Sequence, residues 1–255
     1  MTEALVAALV EARRRPGALA PPSEARRLSH DEAYAVQDRV REALLAGGER
    51  VVGWKAGLTN ARLQKTYGVT EPVCGFLLGS GVLSSGVEVP MSRFTSLVVE
   101  AEVAFLMRAD LAGPGVTAPR ALLAVEGALP ALELVDFRMS GKPVGSDMIA
   151  DGVFASAIVL GTSLTPVTHL DLALEGLVYE LSGAIVATNT AAEVMGHPAN
   201  SLAWIANHLG SRGLGLRAGD IVMSGSVSAL LRPTAGDTVR ASYTRLGSVS
   251  VRFGS

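Results

Sequence analysis

The stretch that most constrains this chain is Leu97 to Met107, LVVEAEVAFLM, where Glu100 and Glu102 interrupt an otherwise apolar run. Val, Leu and Phe at this density read as a buried strand, and alternation sends both carboxylates to the same face, about 7 Å apart along the chain. Two carboxylates desolvated side by side repel and take up a proton unless a cation lies between them, because unpaired buried charge is expensive. A divalent metal resolves the conflict. So does an edge strand with both glutamates in water, since alternating polar positions are ordinary on half-exposed antiparallel sheets. On these residues alone the two readings stand side by side.

A second strand-like run, LPALELVDFRM from Leu129 to Met139, repeats the anomaly with Glu133. Alternation places Glu133, Val135 and Phe137 on one face and Leu132, Leu134, Asp136 and Arg138 on the other, so Asp136 and Arg138 read as a pair turned away from Glu133. Three carboxylates on two apolar strands form an all-oxygen site suited to Mg²⁺, Mn²⁺ or Ca²⁺ rather than zinc or copper. Three protein ligands also leave positions open for a substrate, which points to catalysis.

Composition narrows the classes. With 255 residues, 49% hydrophobic, 18% charged and a mean hydropathy of +0.35, the chain can bury one large core or two modest ones. A net charge of −2 without a basic run argues against a nucleic-acid surface. The single cysteine, Cys74, excludes an internal disulfide and a cysteine-based zinc site. No run approaches the ~20 apolar residues of a membrane span, and the opening MTEALVAALVEARRR places its positive charges after its apolar part, the wrong order for a secretory signal. The expected location is cytoplasmic.

Two helices are predicted at the start. The first is capped by Thr2, striped by Leu5, Ala8, Leu9 and Ala12, and closed by Pro16. The second opens on the capping-box spacing of Ser29 and Glu32, is striped by Ala33, Val36, Val40 and Leu44, and ends at Gly47-Gly48. His30 beside that cap reads as a surface residue. The strand VVGWKAG then carries Lys55 among apolar residues and glycines. A lysine near a bound dication would have its pKa pulled down towards a useful proton-transfer range, while the alternative is a stem lying on apolar surface with its ammonium in water. A short helix follows over Ala61 to Tyr67, then an apolar segment, VCGFLL, in which Cys74 is a small buried hydrophobe.

Further on, a helix is expected over Pro119 to Gly127, and Ser140 to Gly161 reads as polar loop followed by a small-residue strand. Asp147 and Asp151 in that loop are candidates to support the site, or simply loop aspartates satisfying backbone amides. Asp171–Leu181 and Ala184–Thr190 read as a hairpin turned at Ser182-Gly183. A helix starts near Ser201, capped by Asn200 or Ser201. His197 before Pro198 is non-helical, and His208 sits where the helix dipole favours a cation. Gly210, Gly213 and Gly215 are loop glycines with no dinucleotide-binding spacing. The tail from Leu216 reads as an antiparallel closing sheet, with Ser224-Gly225-Ser226 a place where backbone approaches a ligand closely.

Taken together, VGWKAGLTN, VEAEVAF, ALELVDFRM, ADG before VLG, GHPANSLAWIANHL and LRAGDIVMSGS resemble the 2-keto-4-pentenoate hydratase and 4-oxalocrotonate decarboxylase group of the fumarylacetoacetate hydrolase superfamily, from the second helix to the C-terminus. The resemblance implies an α+β fold, a mixed β-roll with an α-rich N-terminal part, divided here as residues 1–75 carrying Lys55 and residues 76–255 forming the metal-binding roll. It implies a homo-oligomer that takes a small 2-oxo acid and no nucleic acid or membrane. It also implies Mg²⁺ or Mn²⁺ on Glu100, Glu102 and Glu133, Lys55 as acid/base, and Leu58, Val73, Asp151, Phe154 and Ser224 as substrate contacts.

The departures are specific. Pro72-Val73-Cys74-Gly75 stands where hydratases have a P-D-F-G-like stretch, Asp151-Gly152-Val153-Phe154 where D-N-x-S is common, and Asp136-Phe137-Arg138 where D-S-R is common. A more apolar pocket follows. The expected reaction is decarboxylation of a 2-oxo-3-enedioate-like acid, chelated by the ion so that a dienolate is stabilised. Hydration of a 2-oxopent-4-enoate type, carbon–carbon hydrolysis of an acylpyruvate and a degenerate subunit supporting an active partner are the alternatives.

Overall fold

The computed structural model describes residues 2–255, with side chains from Glu3 onward, so the cap expected of the Thr2 side chain lies outside the described residues. Helix α1 spans Thr2–Arg14, α2 Pro22–Ala25 and α3 His30–Ala46; strand β1 spans Val51–Gly57, followed by α4, Ala61–Tyr67, and β2, Val73–Leu78. Short strands β3, Val82–Ser84, and β4, Val87–Pro90, lead into the two long ones, β5, Leu97–Met107, and β6, Val125–Asp136, with α5, Ala118–Leu123, between them. Then come α6, Gly145–Asp151, β7, Ala155–Leu160, the hairpin β8, Gly176–Leu181, and β9, Ala184–Thr190, and α7, Pro198–Ser211. Strands β10, Ile221–Ser226, β11, Thr238–Tyr243, and β12, Gly247–Gly254, close the chain.

These strands form two mixed sheets, one in the order β2-β1-β10-β5-β6-β7-β3 and one in the order β4-β12-β11-β8-β9. The sheets pack on each other through β6, β11 and β12. One hydrogen bond spans them, from the buried Tyr179 hydroxyl on β8 to the Val99 carbonyl on β5 at 3.1 Å. On the larger sheet, α7 lies on β1 and β10, while α6 links β2 to α3 and α1 packs on α3. The strand pairs of β1 and β2 belong to the larger sheet, so the divide expected after residue 75 falls inside β2 rather than between units.

The local signals explain most elements. Ser29 and Glu32 form the reciprocal capping box of α3, and its buried stripe is Ala33, Val36, Val40 and Leu44, as the periodicity predicts. Gly68 ends α4 in the left-handed conformation.

The differences have physical reasons. In α1 the buried face is Val6, Leu9, Val10 and Arg13, one position round from the predicted stripe, because the helix inserts the Arg13 stem beside its apolar residues. The helix expected to reach Gly127 stops at Leu123, since β6 already pairs with Met107 at Val125. Helix α6 stands where the sequence reads as polar loop. All seven of its residues are buried, so it carries no polar stripe for periodicity to detect. Helix α7 begins at Pro198 with His197 as its cap, Nδ1 accepting the Ala199 N–H at 3.0 Å, and Gly210 lies inside it, against Gly113. The tail is not one antiparallel sheet, because β10 inserts between β1, parallel, and β5, antiparallel, while β11 and β12 join the other sheet.

Candidate metal and catalytic centre

Pairing fixes the centre. Glu100 on β5 lies directly opposite Glu133 on β6, and Glu102, two residues along β5, shares their face. Lys55 joins them through the register Lys55 to Met223 to Ala104 across β1, β10 and β5. The three glutamates bring one carboxylate oxygen each within 4.8 Å of one another. An edge strand in water is excluded, because Glu102 and Glu133 are 0% exposed and Lys55 is 2% exposed.

Few donors serve these carboxylates. A break in register in β10 turns the Gly225 N–H to Glu102 Oε2 at 2.7 Å. Where the sequence suggests backbone close to a ligand, the approach seen is to Glu102 itself, at a φ of 111° and with no room for a side chain beside Thr59. Lys55 Nζ lies 2.7 Å from Glu133 Oε2 as an ion pair and directs its hydrogen bond to the Val153 carbonyl at 3.2 Å. Glu102 Oε1 and Glu133 Oε1 are buried without a hydrogen-bond partner.

The electrostatics follow. Burial, with repulsion from Glu133 and Glu100, holds Glu102 well above the usual carboxylate range. Burial lifts Glu100 to about 7 against the pull of Lys55, with Glu133 adding to the rise. Burial works against the Lys55 ammonium, yet Glu133, Glu100 and Glu102 together hold its pKa above the ordinary lysine value. The lowered lysine pKa expected beside a dication is therefore not what the carboxylates impose by themselves. Three carboxylates against one ammonium leave two negative charges and orphaned oxygens, a donor set that fits a hard divalent cation.

Glu100, half-buried, opens onto a cleft of about 510 Å³ bordered by Leu58, Thr59, Arg62, Leu63, Glu193 and Ser226 among others. Of the five expected substrate contacts, Leu58 lines it. The others do not. Ser224 is buried and donates to the Val103 carbonyl at 2.8 Å, leaving Ser226 at the cleft. Val73, 2% exposed, borders a separate cleft beneath Tyr34. Phe154 is fully buried with its ring centre 4.9 Å from that of Phe137. Asp151 is closed off by Arg138, whose Nη2 lies 2.5 Å from Oδ1, while Nη1 of the same guanidinium makes the expected but longer ion pair with Asp136 at 4.0 Å. Asp136 instead accepts the Thr95 and Ser96 N–H groups at 2.8 Å. Asp147 binds Ser23 and the Val144 N–H, tying α2 to α6. Cys74 is buried, its thiol pushed up to about 12, and His30 is exposed.

Sequence reasoning missed the Val153 carbonyl, the Gly225 N–H as a partner of Glu102, and Arg62, Thr59 and Glu193 in the cleft wall. The only advance signal was the glycine in β10; nothing in the residue types marks Val153, whose φ is 60°. At Val153 and Phe154 the left-handed backbone costs about 1–3 kcal/mol per residue.

Comparison with known proteins agrees with this geometry. The fumarylacetoacetate (FAA) hydrolase C-terminal family matches residues 49–253. The chain is 34% identical to 4-oxalocrotonate decarboxylase from Pseudomonas sp. (strain CF600), covering 87% of this chain and 84% of that one. It is 33% identical to 2-hydroxyhexa-2,4-dienoate hydratase from Comamonas testosteroni, covering 96% and 94%. The solved structure of 4-oxalocrotonate decarboxylase from Pseudomonas putida G7, complexed with magnesium and adipate, superimposes with a TM-score of 0.95 at 30% identity, over 99% of this chain and 97% of that one. The chain belongs to the fumarylacetoacetate hydrolase superfamily, in its 2-keto-4-pentenoate hydratase and 4-oxalocrotonate decarboxylase group.

Proposed function

We propose that this chain is a divalent-metal-dependent lyase acting on a 2-oxo acid, with decarboxylation of a 2-oxo-3-enedioate-like substrate as its reaction. The observation that carries the reading is the cluster of three carboxylates with orphaned buried oxygens, one of them open to a cleft, beside a buried lysine. Glu100, Glu102 and Glu133 would hold Mg²⁺ or Mn²⁺, and the magnesium complex of the Pseudomonas putida G7 decarboxylase supports a divalent ion. When bound, the ion supplies a Lewis acid for the carboxylate and keto oxygens of the substrate.

The chain's own groups do the rest. Lys55 Nζ, seated between Glu133 and the Val153 carbonyl, gives a proton to carbon after the bond to the departing carboxyl group breaks and CO₂ leaves. Leu58, Leu63, Val227 and Leu230 give the cleft an apolar side against which the carbon chain would lie, while Arg62, Glu193 and the hydroxyls of Thr59, Ser226 and Ser228 are among its polar groups.

Those hydroxyls favour one second reading, hydration, in which they would orient a water that adds to the chain. Carbon–carbon hydrolysis is disfavoured, since none of the four histidines borders this cleft to pair with a carboxylate in activating water. A degenerate subunit is disfavoured by the intact cluster of Lys55 with the three glutamates. Incubation with Mg²⁺ and a 2-oxo-3-enedioate, followed by product analysis, tests the reading. CO₂ release supports it, a 4-hydroxy-2-oxo acid moves the assignment to hydratase, and no turnover across 2-oxo acids of varied length overturns it. A homo-oligomer belongs to the same proposal, supported by exposed Leu174 and Ile185, at 67% and 65%. Sedimentation equilibrium checks it, and a monomer would refute it.

A further inference from the structure

We propose that Arg138 and Asp151 are positioning residues for Lys55, because they hold the arch Asp151 to Phe154 in the conformation that sets the Val153 carbonyl against the lysine ammonium. Three consecutive residues of this arch lie in the left-handed region, Gly152 at φ 85°, Val153 at 60° and Phe154 at 57°. Glycine adopts that region freely, but a β-branched and an aromatic residue do not, so the surroundings must impose it.

The two arginines do so from behind. Asp151 Oδ1 accepts the Phe154 N–H at 3.1 Å and Arg138 Nη2 at 2.5 Å, and Oδ2 accepts Arg138 Nε at 3.3 Å. Arg13 donates to the Asp151 carbonyl, and both arginines reach the Ala155 carbonyl, Arg13 at 3.1 Å and Arg138 at 3.3 Å. The guanidinium groups therefore grip both ends of the arch.

From the front, two strand glycines admit it. A Cβ on Gly75 would lie 2.4 Å from the Gly152 carbonyl oxygen, and one on Gly57 would lie 2.5 Å from a Val153 methyl carbon. With both absent, the arch descends onto β1 and β2. The Val153 carbonyl then reaches Lys55 Nζ at 3.2 Å, while Glu133 holds the same nitrogen at 2.7 Å from β6. None of Arg13, Arg138 and Asp151 borders the cleft at Glu100. Their effect on the chemistry passes through Lys55.

The position of Lys55 stands independently of the metal-lyase reading; only its consequence for turnover rests on that reading. The test uses a readout of each. The chain contains three lysines, Lys55, Lys65 and Lys142, and the latter two are exposed. Lysine Nζ labelling with ¹⁵N should therefore give one protected ammonium signal, assigned by its loss in Lys55→Met.

In Asp151→Asn this signal should shift and its protons should exchange with water about tenfold faster or more, while Mg²⁺ affinity by calorimetry stays within about threefold. Turnover, where the parent shows it, should fall by about 10- to 10²-fold in kcat with KM little changed. Adding Val153→Gly, which removes the residue least suited to the left-handed region, should recover part of that loss. A protected signal and kcat equal to the parent's in folded Asp151→Asn overturn the proposal, as does a parallel loss of Mg²⁺ binding. Should Asp151→Asn not fold, Arg138→Lys keeps the buried cation but not the two-pronged grip and is read by the same criteria. An inactive parent with a shifted Lys55 signal in the variant defeats the functional reading and leaves this one standing.

Discussion

Two buried charge clusters lie on either side of β6, built from the same chemistry and finished in opposite ways. On one side Glu100, Glu102 and Glu133 face the single cation of Lys55, and carboxylate oxygens are left without partners. On the other, Asp136 and Asp151 face Arg13 and Arg138, charges balance, and every carboxylate oxygen has a donor or an arginine beside it. Asp151 accordingly stays below the ordinary aspartate range despite its burial, held there by Arg138 and then Arg13, whereas Glu102 is driven above the glutamate range. Burial alone does not distinguish a ligand site from a scaffold; carboxylate oxygens left without a donor do, and they occur only in the first cluster, whereas the second leaves only the Arg13 Nε donor unpaired.

The sharpest way to break this comparison is to remove a partner from the closed cluster. Arg138→Met leaves Asp151 with only the more distant Arg13 and should cost about 3–5 kcal/mol of stability. Glu102→Gln in metal-free protein removes a repelling charge and should cost far less or raise stability. Urea denaturation of the two variants side by side decides it, and equal losses would dissolve the distinction. Next in size, Lys55→Met should lower turnover by about 10²-fold or more while Mg²⁺ still binds, measured by steady-state kinetics and calorimetry.

Metal loading sharpens the same contrast. Mg²⁺ at a hundred times its dissociation constant should stabilise the parent by about 2.7 kcal/mol, with Glu133→Gln showing much less, as read by the melting temperature with and without chelator. The smallest effect belongs to His208, which packs on Tyr34 and Trp204. Burial first, and then the neighbouring Arg212, push it down to about 4 from 6.5. It is therefore neutral rather than the helix-end cation that its position predicts. The folded state resists its protonation, so its contribution is intact above pH 6.5 and is lost as pH falls from there towards about 4. His208→Gln should flatten stability over that window, followed by circular dichroism across pH.

The open cluster was legible in the sequence because its signal is local: charged residues at alternate positions of two apolar runs, and a lysine between glycines. The group with which the chain is similar added the pairing of those runs into one site. The closed cluster was not legible, since Arg13 on α1, Arg138 in the segment after β6 and Asp151 on α6 are brought together by packing that no periodicity encodes. For the same reason Val73, Asp151, Phe154 and Ser224, expected as substrate contacts, do not border the cleft at Glu100. A motif shows that a residue matters, but not which way its side chain turns. Helix α6 and the partners of β10 were hidden too, the first because complete burial erases amphipathic contrast, the second because a parallel neighbour can come from anywhere in the chain.

That placement of β10 has a consequence for how the protein is made. Lys55 and the glutamates of β5 sit on strands that do not touch; the strand joining them spans Ile221–Ser226, about 120 residues after β5. While the ribosome is still translating, β5 and β6 can pair as neighbours, but β1 has no seat beside them until β10 has emerged. A growing chain therefore carries its acidic face unopposed by its lysine from the completion of β6 until β10 emerges, and the centre is completed late, when the sheet closes.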